Sequence, residues 1–170
     1  MLCHLGSLHV LMSYLGAVGT LMAGSGLTDA LQTCYGLASV SQMMSGKAYA
    51  RAVCGHMLAH SALHTLLLHV IVNNNQAVSA EMLDELHHLY ISLLEHSFVL
   101  SDDPAFIPDC VEKLHNLLNA RKADLSTCGR TAMLWIQYLD YIQILKDFIR
   151  ADLTCVFVDK CGLKLFVEIV

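Results

Sequence analysis

The chain has 170 residues, a net charge of −5 and only 15% charged residues, so its overall charge provides no general attraction to nucleic acid or to anionic lipid. The hydrophobic fraction of 55% is high for a soluble protein, although the length suits one domain with a substantial core. This composition indicates a protein that buries surface against a partner, lies in a membrane, or forms part of something larger.

Charged residues are unevenly distributed along the sequence. Residues 1–80 contain only Asp29, Lys47 and Arg51, and all the other charged residues follow. The N-terminal half therefore lacks an ordinary solvated face. Because extended apolar surface tends to be covered, we expect this half to bind a protein partner or to associate with a second copy of itself.

Two helices are predicted in the first 35 residues. Apolar residues indicate a first helix over residues 5–22, which the Gly-Ser-Gly sequence at residues 24–26 ends. Thr28 is the expected N-cap of a short second helix through residue 35, with Asp29 in its first turn.

A long helix is predicted in the middle of the chain. Ser39 or Ser41 would cap a short helix that ends near Gly46, and the long helix then runs from about residue 47 to residue 72, where three asparagines end it. Apolar residues lie on both sides of this helix, and a helix of that kind is usually buried.

Three capping signals mark the helices of the C-terminal half. Ser79 begins a helix that runs to about residue 96, and Pro108 begins one that runs to about residue 120. Ser126 begins the last helix, which runs through Arg150. Together these elements predict an all-α fold: an irregular multi-helix bundle of about five to seven helices, in a single domain over residues 1–152.

The composition changes after residue 152. The segment CVFVDKCGLKLFVEIV, residues 155–170, is rich in β-branched and aromatic residues on either side of a turn-like Asp-Lys-Cys-Gly sequence. We therefore expect residues 153–170 to form a divergent apolar tail that is either extended or a short hairpin.

The cysteines are odd in number and irregularly spaced, and they include no Cys-x-x-Cys pair. This pattern favours reduced thiols, mostly buried as small hydrophobic side chains. Because disulfides are rare in reducing compartments, we expect an intracellular protein, cytoplasmic or nuclear. The seven residues are Cys3, Cys34, Cys54, Cys110, Cys128, Cys155 and Cys161.

The stretch SGKAYARAVCGHMLAHSALH, residues 45–64, begins like a phosphate-binding loop. That motif needs the pattern G-x-x-x-x-G-K-[ST] after a strand. Here Ser41 replaces the first glycine, and Ala48 replaces the hydroxyl residue that would bind magnesium. We therefore reject the motif and expect Gly46 to lie in a turn before the long helix.

The same stretch ends in three histidines, His56, His60 and His64, which lie on one side of a helix. Two histidines one turn apart can bind zinc, and Cys54 or another helix would supply a further ligand. However, the H-E-x-x-H signature is absent, and one helix cannot complete a tetrahedral site with three ligands along its axis. The favoured alternative is that these histidines supply polar atoms along a partly buried face.

The sequence contains no complete catalytic group. Cys54 lies near His56, and Cys110 lies about one turn from His115, but neither pair has an orienting third residue or an oxyanion donor. Asp29 is the only acidic residue among the first 80, which argues against a carboxylate–metal site. We expect no enzymatic activity, and no small-molecule substrate is indicated.

A membrane segment is the second hypothesis. Residues 1–28 carry no charged side chain and are long enough to cross a bilayer. Histidines and five glycines interrupt them, and no Lys or Arg flanks them before Lys47. Buried core helices are therefore favoured over insertion.

Three segments share a recognisable pattern: LGSLHVLMSYLGAVGTLMAGSGL (residues 5–27), MMSGKAYARAVCGHML (43–58) and LWIQYLDYIQILKDFIRAD (134–152). In their order and approximate spacing they resemble a group of long, transposon-associated proteins that are common in invertebrate genomes. The resemblance implies a helical region of a mobile-element-derived protein, and it implies no particular activity.

The chain departs from that pattern at three places. Ser7-Leu8 stands where the group has Gly-Phe, Cys54 stands where it has Arg, and the resemblance ends after Asp152. These departures favour a fragment of the central or C-terminal helical region. We therefore expect a non-catalytic helical fragment without a cofactor, acting as an interaction or assembly module. The alternatives are a small membrane-associated helical protein and a His/Cys protein that binds zinc.

Overall fold

A computed structural model describes residues 3–74, 78–95 and 108–161. Within these ranges the chain forms seven α-helices and no strand, which confirms the predicted all-α multi-helix fold. The helices are α1 (Cys3–Leu21), α2 (Leu27–Gln32), α3 (Leu37–Met44), α4 (Tyr49–Asn74), α5 (Ala80–Leu94), α6 (Asp109–Thr127) and α7 (Arg130–Cys161).

The helices are grouped into two compact units. Unit 1 comprises Met1–Ser61 and Met133–Val170, and unit 2 comprises Ala62–Ala132. The boundaries between them fall inside α4 and near the start of α7. The single domain over residues 1–152 stays a prediction.

The core of unit 1 is built from apolar faces of α1 and α7. Buried residues of α1 recur at the spacing of one helix face, from Leu11 to Val18, and α7 buries a similar set from Tyr138 to Leu145. Burying one such leucine contributes about 2 kcal/mol through the surface removed from water. The buried apolar residues are Leu11, Leu15 and Val18 of α1, Met22 in the turn after it, Leu27 and Leu31 of α2, Val40 and Met43 of α3, Ala52 of α4, and Tyr138, Leu139, Ile142 and Leu145 of α7.

Glycines allow α1 and α3 to pack closely. A Cβ atom on Gly19 would collide with the carbonyl oxygen of Met44, and one on Gly16 would lie 3.2 Å from the carbonyl oxygen of Ser45. The close contact therefore depends on residues without side chains at these two positions of α1.

The α3–α4 turn is a Schellman motif, a hydrogen-bonded helix ending. The Lys47 amide donates to the carbonyl of Gln42 and the Gly46 amide donates to the carbonyl of Met43, both at 3.0 Å. Gly46 has a φ of 74°, a conformation that favours glycine. The predicted turn at Gly46 is confirmed.

Some predicted helix starts are confirmed and others are wrong. The Ser79 hydroxyl accepts a 3.2 Å hydrogen bond from the Met82 amide and caps α5 as predicted. However, Gly26 rather than Thr28 precedes α2, and Gly36 rather than a serine precedes α3. Ser126 lies within α6, and α7 begins after Gly129.

The last two helices are longer than predicted. No glycine or proline interrupts α6 before Gly129, so it continues to Thr127 instead of stopping near residue 120. Similarly, α7 continues through Cys161, so the extended or hairpin tail is wrong for residues 155–161. Extending an existing helix is easier than nucleating a new element, which outweighs the modest β preference of Val156 and Val158. Residues 162–170 lie outside the described residues.

Unit 2 is built around the packing of α5 against α6. Met82 of α5 and Cys110 of α6 are buried, and the apolar residues Val111, Leu114, Leu117 and Leu118 of α6 are half-buried. Lys113 forms an ion pair with Asp109 on the surface of α6. Because both side chains are exposed, that pair contributes little to stability.

Four thiols are free, those of Cys34, Cys54, Cys110 and Cys128. Among them Cys110 is buried, whereas Cys34, Cys54 and Cys128 are exposed. The expectation that the cysteines are mostly buried is therefore wrong for this group, because these three lie on outward-facing positions of their helices or turns.

Candidate functional site

The histidine row of α4 contains the candidate ligands of the sequence analysis. His56 is fully buried, His60 is buried with 4% of its surface exposed, and His64 is half-buried. This placement agrees with the interpretation that the three histidines supply polar atoms along a partly buried face of α4. His56 and His60 belong to unit 1, and His64 belongs to unit 2.

His56 forms a buried pair with Tyr138 of α7. The Nδ1 atom of His56 lies 2.9 Å from the hydroxyl oxygen of Tyr138, although 82 residues separate them in the sequence. The two ring centroids are 5.9 Å apart, and the ring of Trp135 meets Tyr138 edge-on at 5.7 Å. This contact was not predicted from the sequence, because no local pattern indicates a pairing of residues that are 82 positions apart.

Burial determines the protonation of this pair. Loss of solvation lowers the pKa of His56 to about 4 and raises the pKa of Tyr138 above its usual value. Both groups are therefore neutral at pH 7. A general base works best with a pKa near the operating pH and within reach of substrate. His56 has neither property, so the pair is suited to holding α4 against α7.

In the described part of the chain, no group of metal-ligand side chains is found around the three histidines. Within residues 3–74, 78–95 and 108–161, no group of three His, Cys, Asp or Glu side chains is placed to hold a metal ion. His56 in addition uses Nδ1 for its contact with Tyr138. The residues present thus provide no observed ligand set for zinc.

The rejected phosphate-loop motif has a structural explanation. Gly46 completes the Schellman turn, and a Cβ atom at this position would collide with the carbonyl oxygen of Met12 in α1. Arg51 donates a 3.0 Å hydrogen bond to the hydroxyl of Ser39, which links the start of α4 to α3. The SGKAYAR sequence therefore connects α1, α3 and α4.

An open hollow of about 400 Å³ lies where α1, α2 and α3 meet. Its lining is uncharged, and the sequence analysis did not identify it. No local sequence pattern indicates this hollow, because its lining residues come from three helices and their connections. The lining residues are Gly19, Thr20, Ala23, Thr28, Leu37, Ser41, Met44 and Ser45.

Large apolar side chains are exposed on three of the first four helices. Leu37 of α3 is 70% exposed, Val10 and Leu21 of α1 are 55% and 53% exposed, and Leu58 of α4 is 49% exposed. Neither α1 nor α3 contains any Asp, Glu, Lys or Arg, and α4 contains only Arg51. The exposed surface of these helices in unit 1 is therefore apolar or neutral over most of its length. We call Val10, Leu21, Leu37 and Leu58 the exposed apolar set.

One helix within the described ranges is long and apolar enough to cross a membrane. It comprises residues 49–73 of α4, and 28% of its most apolar window is buried. Residues 8–21 form a shorter apolar helix. The core helix of a soluble protein satisfies the same criterion of length and composition. Length and apolar composition are therefore shared by membrane-spanning helices and by buried core helices.

The comparisons with known proteins identify one family. A family model described as Domain of unknown function (DUF8702) matches residues 1–157, which is most of the chain. No curated protein and no solved structure matches the sequence.

Proposed function

The chain belongs to the DUF8702 domain family, and on that premise we propose that it is a non-catalytic helical module that associates with protein through the exposed apolar set. The partner is a second copy of the chain or another protein. The proposal concerns unit 1, which contains all four residues of the set.

The single observation that carries the proposal is the exposure of this set on helices that lack charge. Val10, Leu21, Leu37 and Leu58 are each about half exposed or more. A solvated helix normally presents charged side chains on its outer face. Exposed apolar surface without interspersed charge is characteristic of surface that another protein covers.

The geometry of the buried histidines supports the non-catalytic part of the proposal. His56 is fully buried, and its Nδ1 atom is already paired with Tyr138. A catalytic group must reach the reacting atoms of a substrate within hydrogen-bond distance. Because His56 and Tyr138 are enclosed in the core, they cannot reach a substrate unless unit 1 opens.

The origin of the chain in a mobile-element protein is part of the same proposal. Its support is the resemblance of three segments, at residues 5–27, 43–58 and 134–152, to transposon-associated proteins. Two of these segments contain the glycines at the α1–α3 crossing and the turn before α4. Their glycine pattern thus has a packing role in this chain, and no catalytic role is needed to account for it.

The test is the molar mass of the purified chain as a function of its concentration, measured by light scattering after size exclusion. We expect a mass that rises with concentration, and we expect the double variant Leu37→Ser, Leu58→Ser to remain closer to the monomer mass. The matched control is Leu83→Ser, Leu94→Ser on α5, which also removes two exposed leucines. A wild-type chain that stays monomeric contradicts self-association, and a pull-down with the same variants then tests binding to another protein.

A second candidate function is membrane association, which the length and apolar composition of residues 49–73 favour. Flotation of the chain with neutral phosphatidylcholine vesicles tests it. Membrane association predicts that the chain floats with the vesicles and that Leu66→Lys on α4 abolishes flotation. A chain that remains in the dense fraction and stays dispersed without detergent contradicts this candidate.

A further inference from the structure

We propose that the contact between His56 of α4 and Tyr138 of α7 is an acid-sensitive latch in unit 1, which opens when the imidazole of His56 takes up a proton. The proposal rests on the placement of one ionisable ring inside a closed core. His56 has no exposed surface, and its one hydrogen-bond partner in the described residues is the Tyr138 hydroxyl, 2.9 Å from Nδ1.

The second ring nitrogen of His56 makes protonation of the buried ring unfavourable. Its Nε2 atom is buried and has no hydrogen-bond partner among the described residues. The neutral ring carries one N–H group, whereas the protonated ring carries two, together with a full charge. A buried charge is tolerated when it is paired and hydrogen-bonded. Tyr138 offers only a neutral hydroxyl oxygen.

The charged side chains described in unit 1 lie at its surface or are half-buried, and Lys47, in the turn before α4, is among the exposed ones. Helices α1 and α3 contain no Asp, Glu, Lys or Arg, α2 contains only exposed Asp29, and Arg51 of α4 is exposed. The other titratable groups described on these elements are His9 and Tyr14 of α1, Cys34 and Tyr35 after α2, Tyr49, Cys54 and His60 of α4, and Tyr141 of α7. The described charged residues of α7 in this unit are exposed or half-buried: Asp140, Lys146, Asp147 and Arg150.

The direction of the pH dependence follows from burial. Desolvation holds the pKa of folded His56 at about 4, below the ordinary histidine pKa of 6.5. The unfolded or opened state therefore binds the proton first as the pH falls. The equilibrium between the closed and the opened state of unit 1 does not change with pH above pH 6.5. Between pH 6.5 and about pH 4, each fall of one pH unit shifts this equilibrium about tenfold toward the opened state.

The chain carries its own reporter of this contact. Trp135 is the single tryptophan of the sequence, and its ring lies 5.7 Å from that of Tyr138. The test is a titration of the full chain from about pH 8 to about pH 4, in which tryptophan fluorescence and far-ultraviolet circular dichroism are recorded together. We expect a reversible change in Trp135 emission below pH 6.5, before most of the helical signal is lost.

Two variants make the test specific. His56→Gln can still hydrogen-bond to Tyr138 but does not titrate, so we expect its emission change to shift down by at least about one pH unit. His69→Gln, which removes an exposed histidine of α4, should behave as the wild type. An emission change at the same pH in His56→Gln and wild type would overturn the latch.

A measurement on the wild type covers the case in which His56→Gln does not fold. The C–H signals of the His56 ring report its protonation directly by nuclear magnetic resonance. We expect them to titrate together with the Trp135 emission. Titration of His56 near pH 6.5 without any change in Trp135 emission would also overturn the proposal.

Discussion

The hydroxyl of Tyr14 in α1 donates a 2.8 Å hydrogen bond to the carbonyl oxygen of Tyr141 in α7, although 127 residues separate them. The two helices thus have a polar contact in addition to their shared apolar core. Burial and the neighbouring Tyr141 hydroxyl both raise the pKa of Tyr14, in that order, so its hydroxyl stays protonated and able to donate at neutral pH.

Tyr14→Phe should lower the free energy of unfolding by about 1 kcal/mol, because it removes the donor and leaves the ring in place. Urea denaturation followed by circular dichroism measures this change. Tyr90→Phe on α5 is the matched control, since Tyr90 is more than half exposed. An equal effect of the two substitutions would show that the Tyr14 contact contributes nothing specific.

Gly46→Ala should be among the most destabilising single substitutions in unit 1. It adds a Cβ atom at a φ of 74° and places that atom against the carbonyl oxygen of Met12. We expect a loss of about 2–4 kcal/mol, combining backbone strain with displacement of α1. Thermal and urea unfolding both measure it.

Substitutions at two other glycines distinguish backbone strain from steric collision as causes of the lost stability in Gly46→Ala. Gly24 has a φ of 75° but open space around its Cβ position, so Gly24→Ala should cost only the backbone strain of about 1 kcal/mol. Gly36 has a φ of −65° and open space, so Gly36→Ala should be nearly neutral. A loss in Gly46→Ala no larger than in Gly24→Ala would contradict the close contact with Met12.

Metal removal provides a third prediction. Because the described residues contain no group of three metal ligands, we expect the chain purified from a zinc-containing medium to unfold at the same temperature with and without a chelator. Elemental analysis of the same sample measures bound zinc. Stoichiometric zinc that is lost in His60→Ala, together with a lower unfolding temperature in the chelator, would restore the His56, His60 and His64 hypothesis.

The sequence predicted local features well where one short-range pattern determines them. The Ser79 cap, the turn at Gly46 and the existence of the long central helix follow from capping residues and apolar spacing. The starts of α2 and α3 were missed because hydroxyl residues are common N-caps, whereas these two helices begin after Gly26 and Gly36.

Features that depend on distant residues were not predictable in the same way. Periodicity places His56 on a face of α4, but only the position of α7 brings Tyr138 within 2.9 Å of its Nδ1 atom. Likewise, Ala52 and Gly55 of α4 are buried, whereas Leu66, which lies on the same side of the helix, is 64% exposed. A helix that is apolar all round does not reveal from its sequence which side packs.

Tyr138→Phe tests how much the buried pair contributes to the closed state at neutral pH. The ring and its contacts with Trp135 would remain, whereas the Nδ1 atom of His56 would lose its partner. A buried polar atom left without a hydrogen bond costs about 1–3 kcal/mol, so we expect a loss of that size in urea unfolding at pH 7.5. Tyr35→Phe is the control, because Tyr35 is half-buried in the same unit. A loss below about 0.5 kcal/mol, the lower limit for a typical hydrogen bond, would mean that His56 finds another partner when the hydroxyl is removed, and the pair would then not be what holds α4 against α7.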